Sequence, residues 1–457
     1  MKRIYLLAIA LITIASADAQ VSFGRIQNRI SRDKNGVNVF DVVKDSVGFN
    51  GLSVDLGAAF ALQFQAIRSF NDHTPSQYPA AVSDYKLNDL ESNFNLPTAN
   101  LTIGAQLADG VRVNLDIYLA SRHHNETWVK GGYLQIDKLD FIKKGLLEDF
   151  MKYATIKIGQ MENNYGDAHF RRSDNGYAIT NPFVSENIMD AYITEMGAEF
   201  YYQRGGLVSM IGVTNSKLNQ NVQPITPANP SASAPNPNTT VSPTILAKLG
   251  YDKQLDEDLR IRLTGSFYHT ANSSGNLYAS DRTGSRYYGV MTHAGSIGSP
   301  TSNVFDPTAN KDTGRFNPGF GNWATSYMIN PFVKYKGLEF FGTLEFASGG
   351  DGKGVDATRN VDQYAGDVVY RFGSHENLYV GAKYNIVSGK LKNADADEVE
   401  VNRFEAAAGW FMTKNILAKI AYVDQNYKNY VQFVGTQPND FYGGNFNGIT
   451  FEAVISF

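Results

Sequence analysis

From Leu52 onward the chain alternates. Leu52, Val54, Leu56, Ala58, Phe60, Leu62 and Phe64 share one parity, and Ser53, Asp55, Gly57, Gln63 and Gln65 take the other. Val111, Val113, Leu115, Ile117 and Leu119 likewise interleave with Arg112, Asn114, Asp116 and Tyr118. A period of two puts each set on one face of a strand. Sixteen such segments are predicted, near 52–65, 99–107, 110–121, 129–138, 153–160, 191–203, 206–214, 243–251, 258–270, 326–336, 338–347, 361–373, 376–388, 400–412, 414–425 and 447–457. Most run 9–13 residues. A soluble strand averages about five or six, whereas a tilted strand crossing a bilayer needs about 9–11.

The connections sort by length. Asp109-Gly110, Arg204-Gly205, 252–257, Gly337, Ser374-His375 and Thr413 are short. They alternate with 66–98, 122–128, 161–190, 215–242, 271–325, 348–360, 389–399 and 426–446, most of them long. Only 139–152 breaks the rule, and its pattern suggests a short amphipathic helix. Outer-membrane barrels have short periplasmic turns and long external loops. The expected fold is therefore all-β: a transmembrane antiparallel β-barrel of about 16 strands, both termini periplasmic, in a bacterial outer membrane.

The N-terminus fits export. Lys2 and Arg3 precede an apolar run from Ile4 to Ala15, and Ala17-Asp18-Ala19 offers a small-x-small cleavage site. Residues 1–19 are expected to be a signal peptide, 20–51 an N-terminal periplasmic segment or one that enters the barrel mouth, and 52–457 the barrel. No later run approaches the roughly 18 apolar residues of a membrane helix.

Composition adds exclusions. With no cysteine among 457 residues, disulfides, thiolate metal sites, cysteine nucleophiles and an N-terminal lipid anchor drop out. A net charge of -4 gives no reason to expect nucleic-acid binding. Charged residues make up 19%, below the roughly 25% usual for soluble domains, as expected if one face of every strand meets lipid. Aromatics cluster near segment ends, as at Phe200-Tyr201-Tyr202, Tyr251, Tyr370 with Phe372, and Trp410-Phe411. That is where interfacial girdles form.

The charged face should line a lumen, because lysine or arginine facing lipid at mid-depth costs roughly 2–4 kcal/mol. Arg112, Asp116, Lys157, Glu195, Glu199, Arg260, Arg262, Lys383 and Arg403 are expected to face inward. Lys248, Lys334, Arg371 and Lys419 join them, as do Asp55, Glu339, Glu345, Asp367, Glu405 and Glu452. Ten cations against nine anions do not make a one-sign field. At sixteen strands the interior is too wide for wall side chains to fill, so an aqueous channel is expected.

In the last strand Ile449, Phe451, Ala453, Ile455 and Phe457 alternate with Thr450, Glu452, Val454 and Ser456, ending on Phe457. It resembles the terminal strand of bacterial outer-membrane proteins, and the resemblance implies that Phe457 is read by the barrel-assembly machinery. The strand Ile156-Lys157-Ile158-Gly159-Gln160, with Asn164-Tyr165-Gly166-Asp167 and Arg171-Arg172-Ser173-Asp174 after it, resembles the phosphate-selective porin O and P family in its broad sense. The resemblance implies that the third external loop, 161–190, folds inward as a pore constriction. It would bring Asp167, His169, Arg171, Arg172, Asp174 and Glu186 into the channel. It also implies a homotrimer among outer-membrane lipids and lipopolysaccharide. The mixed lumen charge departs from the arginine ladder and clustered lysines of the narrow family.

Other constellations suggest ordinary loops. His123-His124 with Glu126 lacks a third ligand for a metal. Asp351, Asp356, Asp395, Asp397 and Glu398 show no EF-hand spacing. Residues 224–243 carry six of the 15 prolines and form an extended external loop. Neither a Gly-x-Ser-x-Gly elbow nor a His-Glu-x-x-His motif occurs. The expected function is passive diffusion of small polar or charged solutes, with no catalysis, cofactor or metal. The alternative is a structural or partner-binding barrel that uses its long external loops.

Overall fold

The computed structural model describes residues 22–41, 44–73, 87–95, 98–120, 127–172, 177–218, 242–273, 277–278, 286–293, 312–350, 358–391 and 398–457. Among them, sixteen long strands form the wall. They are β1 (Ser53–Phe70), β2 (Thr98–Ala108), β3 (Val111–Ala120), β4 (Trp128–Ile136), β5 (Ala154–Glu162), β6 (Thr194–Arg204), β7 (Leu207–Thr214) and β8 (Thr244–Gln254). Then follow β9 (Leu259–Ser273), β10 (Gly321–Tyr335), β11 (Leu338–Gly350), β12 (Arg359–Phe372), β13 (Leu378–Gly389), β14 (Val399–Thr413), β15 (Ile416–Lys428) and β16 (Asn445–Ser456). Consecutive strands pair antiparallel. β16 pairs with β1 from Ala59–Ser456 to Phe70–Asn445, which closes the barrel and leaves no edge.

Two strands outrun the alternation: β1 continues to Phe70 and β10 starts at Gly321. At this end the inner face packs on inserted loops rather than water. Ile67 and Ala324 turn inward into an apolar cluster there, so the polar-in pattern reverses. The tight turns use left-handed backbone, with Gly110 at φ 71° and Lys336 at φ 53°. The 139–152 connection is a series of turns ending in one short helix, α1 (Glu148–Met151), rather than one amphipathic helix.

The two faces differ as the period of two requires. Outward Ile211 and Leu249 are 65% and 63% exposed, and Leu263, Val380, Phe404 and Phe451 are also exposed. Inward Glu195 and Arg262 are 0% and 2% exposed. An apolar exterior on this scale exceeds any patch tolerated on a soluble monomer. Tyr251, Tyr335, Tyr370, Phe372 and Trp410 are exposed at the short-turn end, forming the aromatic belt of one interface. No helix among the described residues is long and apolar enough to cross a membrane.

Of the segment 20–51, expected in the periplasm or at the barrel mouth, the described residues from Arg29 to Asp41 enter the barrel from the short-turn end. Lys34 N donates to Lys414 O at 2.8 Å at that rim. Deeper in, Phe40 is buried against Phe332 and Phe341. The polar inner wall supplies partners for this segment's charges, which an open periplasmic tail would leave to water.

Candidate pore and its constriction

Three chain segments occupy the lumen among the described residues. The first is the β5–β6 loop, described at 163–172 and 177–193. Its centre is Asp167, fully buried. Arg262 donates to both carboxylate oxygens of Asp167 at 2.8 Å. Thr264 Oγ1 donates at 2.6 Å and Lys248 Nζ at 3.1 Å. Asp167 N donates to Asn330 Oδ1 at 2.7 Å. Arg262 and Thr264 lie two apart on β9, so both project inward beside Lys248 of β8.

His169 pairs with Glu162 at 2.6 Å and with Asn164 Oδ1 at 3.0 Å. Arg171 lies 3.3 Å from Asp367 and 4.8 Å from the Phe341 ring centroid. Arg172 pairs with Asp190 at 2.7 Å and lies over Tyr192. Glu186 is buried near them, and its carbonyl accepts from Arg403 at 2.9 Å. Asp174 lies outside the described residues. Further along, Ile188 N donates to Asn385 at 2.6 Å, and Met189 exchanges hydrogen bonds with Gln363 at 2.9 and 2.7 Å. Lys419 donates to the carbonyls of Ala178 and Phe183. The loop therefore crosses the lumen from β8–β10 to β12–β15.

The second insertion is the N-terminal segment. Arg29 pairs with Asp55. Arg32 meets Asp116 at 2.9 Å. Asn38 donates to Glu339 at 2.6 Å, and Asn38 O accepts from Arg260 at 2.9 Å. Asp41 meets Arg262 at 2.6 Å and accepts from Asn164 at 3.0 Å. Arg262 thus clamps both insertions with one guanidinium.

The third is the described part of the β9–β10 connection. Tyr288 exchanges hydrogen bonds with Gln65 at 2.9 and 3.0 Å. Arg286 pairs with Glu452, and Arg315 with Asp190 at 3.0 Å. Phe316 N donates to Ile188 O at 2.8 Å, which ties this segment to the first loop.

Burial alone would push the Asp167 and Asp41 carboxyls up, but Lys248 and Arg262 more than offset it and hold both below their ordinary range. Asp190 is lowered in the same way, burial being outweighed by Arg172 and Arg315. Glu186 goes the other way: burial wins over the pull of Arg172 and raises it.

Of the lumen candidates, Glu195, Glu199, Lys383 and Arg403 are buried inside the barrel. Arg112, Asp116 and Lys157 border a cavity of about 150 Å³ with Arg29, Arg32, Asp41 and Tyr201. Arg260 meets Asp252 at 2.7 Å. A second void of about 30 Å³ lies between Arg171, Arg172, Asp190 and Lys383. The continuous open lumen expected from strand count is thus divided, among the described residues, by the chain's own insertions. At the C-terminus, Phe457 N and O pair with Ala58 at 3.0 Å each.

Sequence reasoning missed Arg29, Arg32, Asn38, Asp41, Asp190, Arg286 and Arg315. The available signal was charge: 25–41 carries Arg25, Arg29, Arg32, Asp33, Lys34 and Asp41 in a chain otherwise poor in charge. His123, His124, Glu126, Asp351, Asp356, Asp395, Asp397 and most of 224–243 lie outside the described residues. Among the described residues no group of three or more His, Asp or Glu side chains gathers as a metal site.

Closure, apolar exterior and polar interior together define a transmembrane β-barrel of the outer-membrane type. No family model matches the chain, and no curated protein matches it. Solved structures do. The anion-selective porin from Comamonas acidovorans is 10% identical at TM-score 0.48, over 89% of this chain and 100% of that one. The Salmonella typhi OmpF complex with daunomycin is 10% identical at TM-score 0.48, over 90% and 99%. The outer membrane channel DcaP of Acinetobacter baumannii is 11% identical at TM-score 0.47, over 90% and 99%.

Proposed function

We propose that the chain is an outer-membrane porin that passes small polar or charged solutes by diffusion through a lumen narrowed by its own insertions. One observation carries this reading. An apolar-clad barrel of sixteen strands has a charged inner wall, and two voids remain beside the described parts of the 163–193 loop. A wall that polar is costly unless its groups are paired or meet water; the insertions pair part of it, and the voids leave room for water or solute. Selection falls to pore radius and lumen charge, with no catalytic step. Arg171, Arg172, Glu186 and Asp167 set the constriction, and Asp174 belongs to the same loop. The O and P porin resemblance enters as architecture only, because cations and anions alternate along the wall. A homotrimer in lipid and lipopolysaccharide, assembled through a signal at Phe457, completes the proposal. Stepwise channels in a planar bilayer containing the purified protein are expected. Their absence at all voltages and salt concentrations would overturn it.

The density of the lumen favours one second reading, a structural barrel whose external loops hold partners. It predicts no channels together with a stoichiometric co-purifying protein.

A further inference from the structure

The β4–β5 connection is the long exception among the links on the short-turn side. It carries Phe141, Ile142, Leu147 and Phe150, which are 56%, 64%, 57% and 44% exposed. Four large apolar side chains left to water on one connection are costly relative to burial. Nothing in the hairpin geometry demands them; the neighbouring short turns manage with Asp109-Gly110 and Gly205-Gly206.

Their position accounts for them. The Phe150 ring stacks on Phe200 with centroids 6.1 Å apart, and on Tyr202 at 5.7 Å. Phe200 and Tyr202 have the parity of exposed Met196 on β6, so they face outward, opposite buried Glu199 and Tyr201. Phe150 therefore lies against the outer wall, at the level where Tyr153 also meets Tyr202 and Arg204 covers Tyr153. The turn extends the lipid-facing surface sideways at the aromatic belt. Its base is pinned: Met151 is buried, and Lys44 reaches the carbonyls of Asp137, Met151 and Ala154. Inside the turn, Gly145 N donates to Asp140 at 2.8 Å. Lys143 and Lys144 are exposed beside Phe141 and Ile142. A rigid element with rings and aliphatics beside ammonium groups, level with an interface, matches an in-plane membrane anchor.

We propose that residues 139–152 insert into the phospholipid leaflet on the short-turn side and fix the depth and rotation of the barrel there. Phe141, Ile142 and Leu147 enter the acyl boundary, and Lys143 and Lys144 stay with the lipid phosphates. This inference rests on the membrane-spanning reading of the barrel but not on the pore reading.

The absence of native cysteine makes the test direct. Single substitutions Phe141→Cys, Ile142→Cys, Leu147→Cys, Lys144→Cys and Glu148→Cys are spin-labelled in the full chain. The labelled proteins are reconstituted in phosphatidylethanolamine–phosphatidylglycerol vesicles, with Leu249→Cys on the wall as reference. Oxygen accessibility should dominate at 141, 142 and 147, at depths about 5–10 Å below the phosphates. A water-soluble nickel relaxant should dominate at 144 and 148. Nickel-accessible labels at 141, 142 and 147, with Leu249→Cys still oxygen-accessible, would overturn the anchor and leave the barrel reading intact. Labels shielded from both relaxants and broadened by a neighbouring spin would overturn it in favour of docking on a second copy. Nickel accessibility at Leu249→Cys as well would sink the anchor and the membrane reading together.

Discussion

The 163–193 loop and the N-terminal segment occupy the same lumen but are held differently. Loop carboxylate Asp167 has Arg262, Lys248, Thr264 and Asn330 around it, all buried. The stem of the N-terminal segment rests on pairs that water reaches: Arg32 and Asp116 side chains are 12% and 18% exposed, and Arg29 and Asp55 are 14% and 30% exposed. Its tip is drier: Asn38, Phe40 and Asp41 are buried. The contrast separates a built-in constriction from a removable stopper. A desolvated charge cluster is strongly destabilised by losing one member, whereas a pair that water reaches is partly screened and loses less.

The comparison can be broken at four points. Asp167→Asn has the largest expected effect, because it leaves Lys248 and half of Arg262 uncompensated in a dry site. A loss of about 3–5 kcal/mol is expected in denaturant unfolding of the refolded barrel. A loss below about 1 kcal/mol would show that the cluster is hydrated.

Phe40→Ala comes next. It empties the site between Phe332 and Phe341, and about 3 kcal/mol of docking energy goes with a buried ring. The segment should then become sensitive to limited proteolysis between 25 and 41, while the barrel wall stays resistant.

Arg32→Ala is expected to cost about 1–2 kcal/mol, between an exposed and a buried pair, and its effect on protease sensitivity should shrink in high salt. An effect as large as that of Phe40→Ala would erase the distinction between stem and tip.

The smallest effect is that of pH. The folded-state values of Asp167, Asp41 and Asp190 are depressed, so their contribution is complete above the ordinary aspartate value of about 4 and is lost as pH falls through the depressed value. Raised Glu186 has the opposite sign: protonation relieves it as pH falls. Protease resistance of the loop should be flat from pH 8 to 5 and decline only in stronger acid. A drop already near pH 6 would contradict this origin in the depressed aspartates.

These particulars show why the wall was legible in the sequence and its contents were not. Strand parity is local: once Val111 to Leu119 face lipid, Arg112 and Asp116 must face in. The loop after β5 could be singled out by its ordinal place among long connections. The N-terminal segment has no such period. Its partners lie far along the chain, Asp116 at 84 residues from Arg32 and Arg262 at 221 from Asp41. Parity cannot say that one arginine serves two insertions. Strand ends were missed where Ile67 and Ala324 meet loops, because the inner face there is apolar.

The central claim is that the chain narrows its own pore with insertions that can be separated, the N-terminal segment from the 163–193 loop. Single-channel conductance in planar bilayers, compared between the intact mature chain and one lacking residues 24–41, tests it most directly. Small steps are expected from the intact chain and several-fold larger steps from the truncated one, with the 163–193 loop still limiting the pore. Equal conductance in the two, with the truncated barrel folded by its heat-modifiable mobility, would contradict it.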